Sequence, residues 1–173
     1  MSEGVRKPMW RFLFVWLALA ALPATSRAQA VYTATAGMPV RIEIVAACTV
    51  SAPNLDFGAY ASNSPTPVLG QTTISLHCGA GQTAELSLDA GTGPGASTSN
   101  RRMEGSGAVG RISYGLFQDP GRTIHWGDRS GRDTLEVPTT GAMQSIPIYG
   151  EIPAGQREQQ GTYSDTITIR VVY

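Results

Sequence analysis

Polar and apolar residues alternate with a period of two along most of the chain beyond residue 30. Such alternation puts successive side chains on opposite faces of a sheet, so each run predicts a strand with one buried face. The clearest runs are 72–78, 84–90, 111–117, 144–152 and 166–173. Glycine, proline, threonine and serine interrupt the pattern about every ten residues, and the sequence lacks helical periodicity. The pattern therefore predicts an all-β fold, a β-sandwich.

The last predicted strand is followed by no further alternating run. Its apolar side chains share one side of the strand: Ile167, Ile169, Val171 and Tyr173. A strand without a neighbour exposes backbone hydrogen-bonding groups and an apolar edge that promotes association. We therefore expect an open groove beside this strand, ready to take a strand from elsewhere.

A second alternating segment lies early in the chain, with its apolar side chains at even positions. They are Tyr32, Ala34, Ala36, Met38, Val40, Ile42 and Ile44. Pro39 interrupts the run beside Gly37, and proline cannot donate to a strand ladder. The segment is either a free arm joined to the first strand of the domain or one long edge strand, and alternation alone does not choose between them. A free arm could add a strand to the groove of another copy, which gives a head-to-tail fibre because that contact does not close.

Residues 1–30 have the pattern of a secretory signal peptide. Basic residues precede an apolar run at 12–22, and Ala28-Gln29-Ala30 has the A-x-A form of a cleavage site. The apolar run is too short to anchor the chain in a bilayer. We therefore predict an exported chain with no membrane span after the leader is removed.

Removal of this leader would leave nine arginines and no lysine against twelve acidic residues, a net charge of −3. The arginines are scattered apart from the pair Arg101 and Arg102. This distribution gives no support to a nucleic-acid partner. The glycine- and serine-rich segment 89–110 lacks both phosphate-binding glycine motifs, so it is predicted to be a mobile or hairpin connection.

Two cysteines remain, Cys48 and Cys78. An even count in an exported protein favours one disulfide, and closing a loop of about 30 residues stabilises the fold by about 3 kcal/mol. A metal site would need further ligands at close spacing, and only His77 is adjacent. We expect no metal and no cofactor.

Catalysis has little support in the sequence. His77 falls on the polar face of its predicted strand, and His125 lies in a segment that flanks a loop. Neither a G-x-S-x-G elbow nor an H-E-x-x-H motif is present. A secreted hydrolase is thus a minor alternative, and we predict that the protein is not an enzyme.

Several segments together resemble the spore coat protein U domain family, which includes subunits of archaic Csu-type chaperone-usher pili. They are "CTVSAPNLDFGAY" (48–60), "ISLHC" (74–78), "YGLFQDPGRTIHWGD" (114–128), "IPIYGEIPAGQ" (146–156) and "GTYSDTITIRVVY" (161–173). The resemblance implies an incomplete immunoglobulin-like β-sandwich that is completed by a donated strand. It also implies a leader at 1–30, a donor-strand arm at 31–39 and a pilin domain at 40–173.

The same resemblance implies partners and site residues. A periplasmic chaperone would lend a strand to the groove, and an outer-membrane usher would exchange it for the arm of the next subunit in a head-to-tail fibre. The implied donor residues are Tyr32, Ala34, Ala36 and Met38. The implied groove residues are Val40, Ile42, Ile44, Ile167, Ile169, Val171 and Tyr173, and the bond between Cys48 and Cys78 would match the family disulfide.

The function implied is that of a structural pilus subunit at the cell surface, supporting adhesion and biofilm formation. With room for one domain and a short arm, the chain resembles a rod or minor shaft subunit. The sequence leaves open a second role, a secreted spore coat or surface matrix protein.

Overall fold

The computed structural model describes residues 38–42, 47–107 and 110–173. The chain divides into two units, Met1–Arg41 and Ile42–Tyr173. In the first unit, Met38 and Val40 are exposed and belong to no strand. The predicted leader and the predicted donor and groove residues Tyr32, Ala34, Ala36 and Ile44 lie outside the described residues.

The described part of the second unit is built from β-strands without helix. The strands are β1 (Cys48–Ser51), β2 (Val68–Cys78), β3 (Thr83–Leu88), β4 (Arg101–Gly105), β5 (Arg111–Phe117), β6 (Leu135–Pro138), β7 (Gln144–Ile152), β8 (Tyr163–Ser164) and β9 (Ile169–Val172). They form two antiparallel sheets, one in the order β1-β2-β7-β5-β4-β8 and the other in the order β6-β3-β9. The predicted all-β fold is confirmed.

Five of these strands, β2, β3, β5, β7 and β9, correspond to the five predicted runs. Of the two predictions for the segment 89–110, a mobile connection or a hairpin, the second agrees with the structure, because the segment contains β4. This strand pairs with β5 in a hairpin and with β8 on its other side. The glycine- and serine-rich sequence conceals β4, since the strand is only five residues long and its second partner, β8, lies far along the chain.

The core lies between the two sheets and comes from the inward positions of the longer strands. Its wholly buried side chains include Ile74, Leu76, Leu86 and Leu88. Trp126 is also wholly buried, and its indole N–H donates to the backbone oxygen of Leu86 at 3.1 Å. A buried indole needs such an acceptor, so this bond fixes the segment after β5 against β3.

The disulfide between Cys48 and Cys78 is present, as predicted. It joins the first residue of β1 to the last residue of β2, which are direct partners in the ladder. The bond therefore attaches a four-residue edge strand to the longest strand of the fold. In the described ranges, no helix has the length and apolar character needed to span a membrane.

Candidate functional site

A groove of about 1190 Å³ with an apolar floor and largely polar rims opens between the sheets. Its floor is formed by buried, inward side chains of β5 and β7: Ile112, Tyr114, Leu116, Ile148 and Ile152. One rim is the segment 50–58, which covers the end of β1 and the loop after it. The other rim is the segment 158–169, which includes β8 and the start of β9. We call this feature the edge groove.

The edge groove lies where both sheets end. β1 is the outermost strand of the larger sheet and β9 is the outermost strand of the smaller one. Their Cα atoms approach within 8 Å. Within the described residues, β9 pairs with β3 on one side and with no strand on the other. The free edge of β9 therefore begins at the edge groove, beside its apolar floor, which is an arrangement that favours addition of a strand.

The rim at 158–169 changes sheets. β8 pairs with β4 in the larger sheet, whereas β9 pairs with β3 in the smaller sheet. Between them, partly buried and exposed side chains alternate without a break from Tyr163 to Val172. The inward side chains are Tyr163, Asp165, Ile167, Ile169 and Val171. The backbone is therefore extended across the whole crossing, and a carboxylate occupies one position of an otherwise apolar row.

Both oxygens of the Asp165 carboxylate accept hydrogen bonds. Tyr114, on the floor, donates its hydroxyl to Oδ2 of Asp165 at 2.7 Å. Thr92 donates its backbone N–H and its hydroxyl to Oδ1 at 2.8 and 2.9 Å. Burial of Tyr114 and the adjacent carboxylate raise the pKa of the phenol, so it stays a neutral donor at physiological pH. These bonds attach the rim to the floor of the edge groove.

A second carboxylate holds the next part of the rim. Oδ1 of Asp89 accepts the backbone N–H groups of Thr168 and Gly91 at 2.9 and 3.0 Å, and its own N–H donates to the oxygen of Thr168. Burial alone raises the pKa of the Asp89 carboxyl, but the bonds from Thr168 and Gly91 and the charge of Arg101 together lower it below its ordinary value. Asp89 is therefore an anion that caps the end of the ladder between β3 and β9.

Arg101 supports this region from inside the protein. Its side chain is wholly buried and binds four backbone oxygens at 2.7–2.9 Å, those of Leu88, Asp89, Thr98 and Trp126. Burial lowers the pKa of the guanidinium, while nearby carboxylates oppose this effect. Arg101 thus connects the end of β3, the turn before β4 and the segment after β5, all of which lie behind the rim.

The opposite rim packs on a pair of glycines. Gly70 of β2 and Gly150 of β7 are direct partners in the ladder. A Cβ atom at Gly150 would lie 2.6 Å from the ring of Phe57 and 2.8 Å from Leu55, and one at Gly70 would lie 3.0 Å from both side chains. The missing side chains therefore leave a flat surface on which the loop after β1 rests. Phe57 also packs edge to face on Tyr114, with ring centroids 6.1 Å apart.

The predicted groove residues occupy different environments. Ile167 and Ile169 line the edge groove, and Val171 packs against the core beside them. Tyr173 is 52% exposed, and Val40 and Ile42 are exposed as well. The floor residues Ile112, Leu116 and Ile148 were not predicted, although their inward positions could be read from the alternation in 111–117 and 144–152. Nothing in the sequence marks the bonds made by Tyr114 and Asp165.

The histidines lie away from this groove. His77 is exposed, as expected for a polar face, and lies 3.3 Å from the backbone oxygen of Gly141. His125 is exposed and stacks on Phe117, with ring centroids 4.5 Å apart. In residues 47–107 and 110–173, its ring has no hydrogen-bond partner. No group of three or more possible metal ligands occurs among the described residues.

Comparison with known proteins gives consistent matches. The profile of the Spore Coat Protein U domain matches residues 34–170. "Protein U" of Myxococcus xanthus is 33% identical over 171 residues, which cover 90% of this chain and 93% of that protein. The crystal structure of the CsuC-CsuE chaperone-tip adhesion subunit pre-assembly complex, from archaic chaperone-usher Csu pili of Acinetobacter baumannii, matches with a TM-score of 0.53 and 21% identity. That match covers 75% of this chain and 40% of the other chain. At this identity, the structural similarity supports the fold alone.

Proposed function

The chain belongs to the Spore Coat Protein U domain family, and from this premise we propose that it is a structural subunit of an archaic chaperone-usher pilus. Subunits would polymerise by donor-strand exchange into a fibre at the cell surface, where the fibre would support adhesion and biofilm formation. The single observation that carries the proposal is the edge groove beside the free edge of β9.

The groove suits an extended apolar segment better than a small substrate. It is long and open, and its buried floor is made largely of aliphatic side chains. Four or five apolar side chains entering such a channel would each contribute roughly 1.5–3 kcal/mol, on the order of 10 kcal/mol before ordering costs. Backbone hydrogen bonds to β9 would add to this, so a bound strand would leave slowly.

The occupant that we propose in the fibre is the arm at 31–39 of a neighbouring copy or related subunit, with Tyr32, Ala34, Ala36 and Met38 facing the groove. Before assembly, a periplasmic chaperone would fill the groove, and an outer-membrane usher would exchange one strand for the other. The chaperone has support from the similar structure, which is a complex of a chaperone with a pilus subunit. This route requires the leader at 1–30 and passage through the periplasm.

Expression in a bacterial periplasm, with and without the cognate chaperone, tests the proposal. We expect a soluble one-to-one complex on size exclusion, which converts to a detergent-resistant ladder on unheated gels when the chaperone is removed. A chain lacking residues 31–38 is the matched control and should bind the chaperone without forming a ladder. A stable monomer without any partner would contradict the proposal, as would normal polymerisation of the truncated chain.

A second candidate function keeps the fold and changes the assembly. The matched family is named for a spore coat, and the curated relative aligns over nearly its full length, whereas the pilus structure aligns over 40% of its chain. The protein would then be a structural component of a spore coat or surface matrix. A gene beside those of a chaperone and an usher favours the pilus, and a solitary gene induced during sporulation favours the coat.

A further inference from the structure

We infer that the strand-accepting edge of this protein is the continuous segment 165–172 rather than β9 alone, and that Tyr114 and Asp165 hold the first half of this edge in place. The inference rests on the proposed function, because it names the residues that prepare the edge groove for an incoming strand. It doubles the accepting edge from the four residues of β9 to eight, or about 26 Å of extended chain.

The first support is the conformation of 165–168. Inward and outward side chains alternate there as regularly as in β9, so the segment is extended although it belongs to no ladder. Its inward Ile167 lines the edge groove next to Ile169 of β9. The row of side chains that an incoming strand would meet is therefore continuous from 165 into β9.

The second support is the direction of the backbone groups. Both the N–H and the C=O of Thr168 bond Asp89, on the side of β3. In an extended strand, the N–H and C=O of one residue point to the same side, and those of the next residue point to the opposite side. The N–H and C=O of Ile167 therefore point away from β3, toward the free edge. Within the described part of the chain, the N–H and C=O of Ile167 form no hydrogen bond. They are an open donor and acceptor beside the apolar floor of the edge groove, as an added strand requires.

The third support is what keeps this segment extended without a ladder. At one end, the carboxylate of Asp165 receives Tyr114 from the floor and two donors from Thr92. At the other end, Asp89 holds Thr168. A partly buried carboxylate is costly unless its bonds are satisfied, so the segment is stable only where these donors place it. Tyr114 and Asp165 are positioning residues, because they act on the backbone of the accepting edge.

The test uses the full chain, kept dilute, and a fluorescent synthetic peptide of residues 31–42. Tyr114→Phe removes only the hydroxyl, and Asp165→Asn removes the charge. Tyr149→Phe is the matched control, because its ring lies under the Arg122 guanidinium and its hydroxyl has no partner within residues 47–107 and 110–173. Peptide capture is followed by anisotropy, and amide hydrogen exchange is measured at Thr166 and Thr168 and in β2 and β7.

We expect both variants to capture the peptide at least tenfold more slowly, with faster exchange of the amides of Thr166 and Thr168, which bond carboxylates, and unchanged exchange in β2 and β7. Tyr149→Phe should behave as the wild type. A merely structural role would instead raise exchange throughout the domain. Capture of the peptide by both variants at the wild-type rate would overturn the inference and leave the proposed function intact. If even the wild type captured no peptide, the inference and the proposed function would both be contradicted.

Discussion

At the scale of single residues, Arg101 is the side chain on which the region behind the edge groove most depends. It is wholly buried, and its guanidinium donates to four backbone oxygens from three separate segments. Buried oxygens that lose such a donor keep their desolvation cost without compensation, at about 1–3 kcal/mol each. The buried charge of Arg101 is tolerated because it donates to several backbone oxygens.

Arg101→Met should therefore lower the free energy of unfolding by about 3–5 kcal/mol, measured by urea denaturation. Arg101→Lys should fall between wild type and Arg101→Met, because an ammonium keeps the charge but lacks the planar fork that reaches several acceptors. Arg102→Met is the control, since the neighbouring guanidinium makes one long bond, 3.4 Å to Pro94, and should change stability by about 0.5 kcal/mol or less. A loss below about 1 kcal/mol in Arg101→Met would contradict this account.

At the scale of elements, β1 depends on its disulfide. It is a four-residue edge strand with mostly exposed side chains, and its end forms part of one rim of the edge groove. Replacing Cys48 and Cys78 by serine should cost about 3 kcal/mol in urea unfolding, because the unfolded chain regains the freedom of a closed loop. A reducing agent should lower the stability of the wild type to a similar level and leave the double variant unchanged. Equal stability of oxidised and reduced wild type would contradict the prediction.

The carboxylate of Asp89, at the end of β3, predicts that the stability of the fold depends on pH. The pKa of Asp89 is lowered in the folded protein, so its contribution to stability is complete above the pKa of the unfolded chain and is lost as the pH falls through the folded value. We expect Asp89→Asn to be less stable than wild type at pH 7, with the difference closing as the pH falls through the lowered pKa of Asp89. Glu151→Gln is the control, because this carboxylate accepts no bond within the described residues. A constant difference between Asp89→Asn and wild type across this range would rule out the carboxylate as its source.

The strands show what could be predicted from the sequence and what could not. The alternation predicts long strands such as β2, β5 and β7 because one face of each packs on the core, so that apolar residues recur at every second position. The alternation did not indicate β1, β4, β6 and β8, because these strands are two to five residues long and too short to show a clear period of two. Alternation placed Ile167 and Ile169 on one face of the last strand, whereas the bond from Tyr114 to Asp165 and the packing on Gly70 and Gly150 join distant segments and leave no such pattern in the sequence.

At the scale of the whole molecule, the proposed function gives each copy one edge groove and one arm. A contact between two different surfaces of the same chain does not close on itself, so the product is a linear fibre whose length depends on the supply of competent ends. A copy that has the groove but lacks residues 31–38 can accept a strand and cannot donate one. It should therefore occupy one end of a fibre and stop growth there.

Mixing such truncated copies with full chains at increasing mole fraction should shorten the ladder on unheated gels. One truncated copy in ten should limit fibres to about ten subunits on average, because each fibre can hold only one at its end. A truncated chain that also carries Tyr114→Phe should compete poorly for that end, since its accepting edge is not held in place. If truncated copies instead appeared throughout long fibres, strand donation by the arm would not be the contact that joins the subunits, and the fibre would have to be built through another surface of the sandwich.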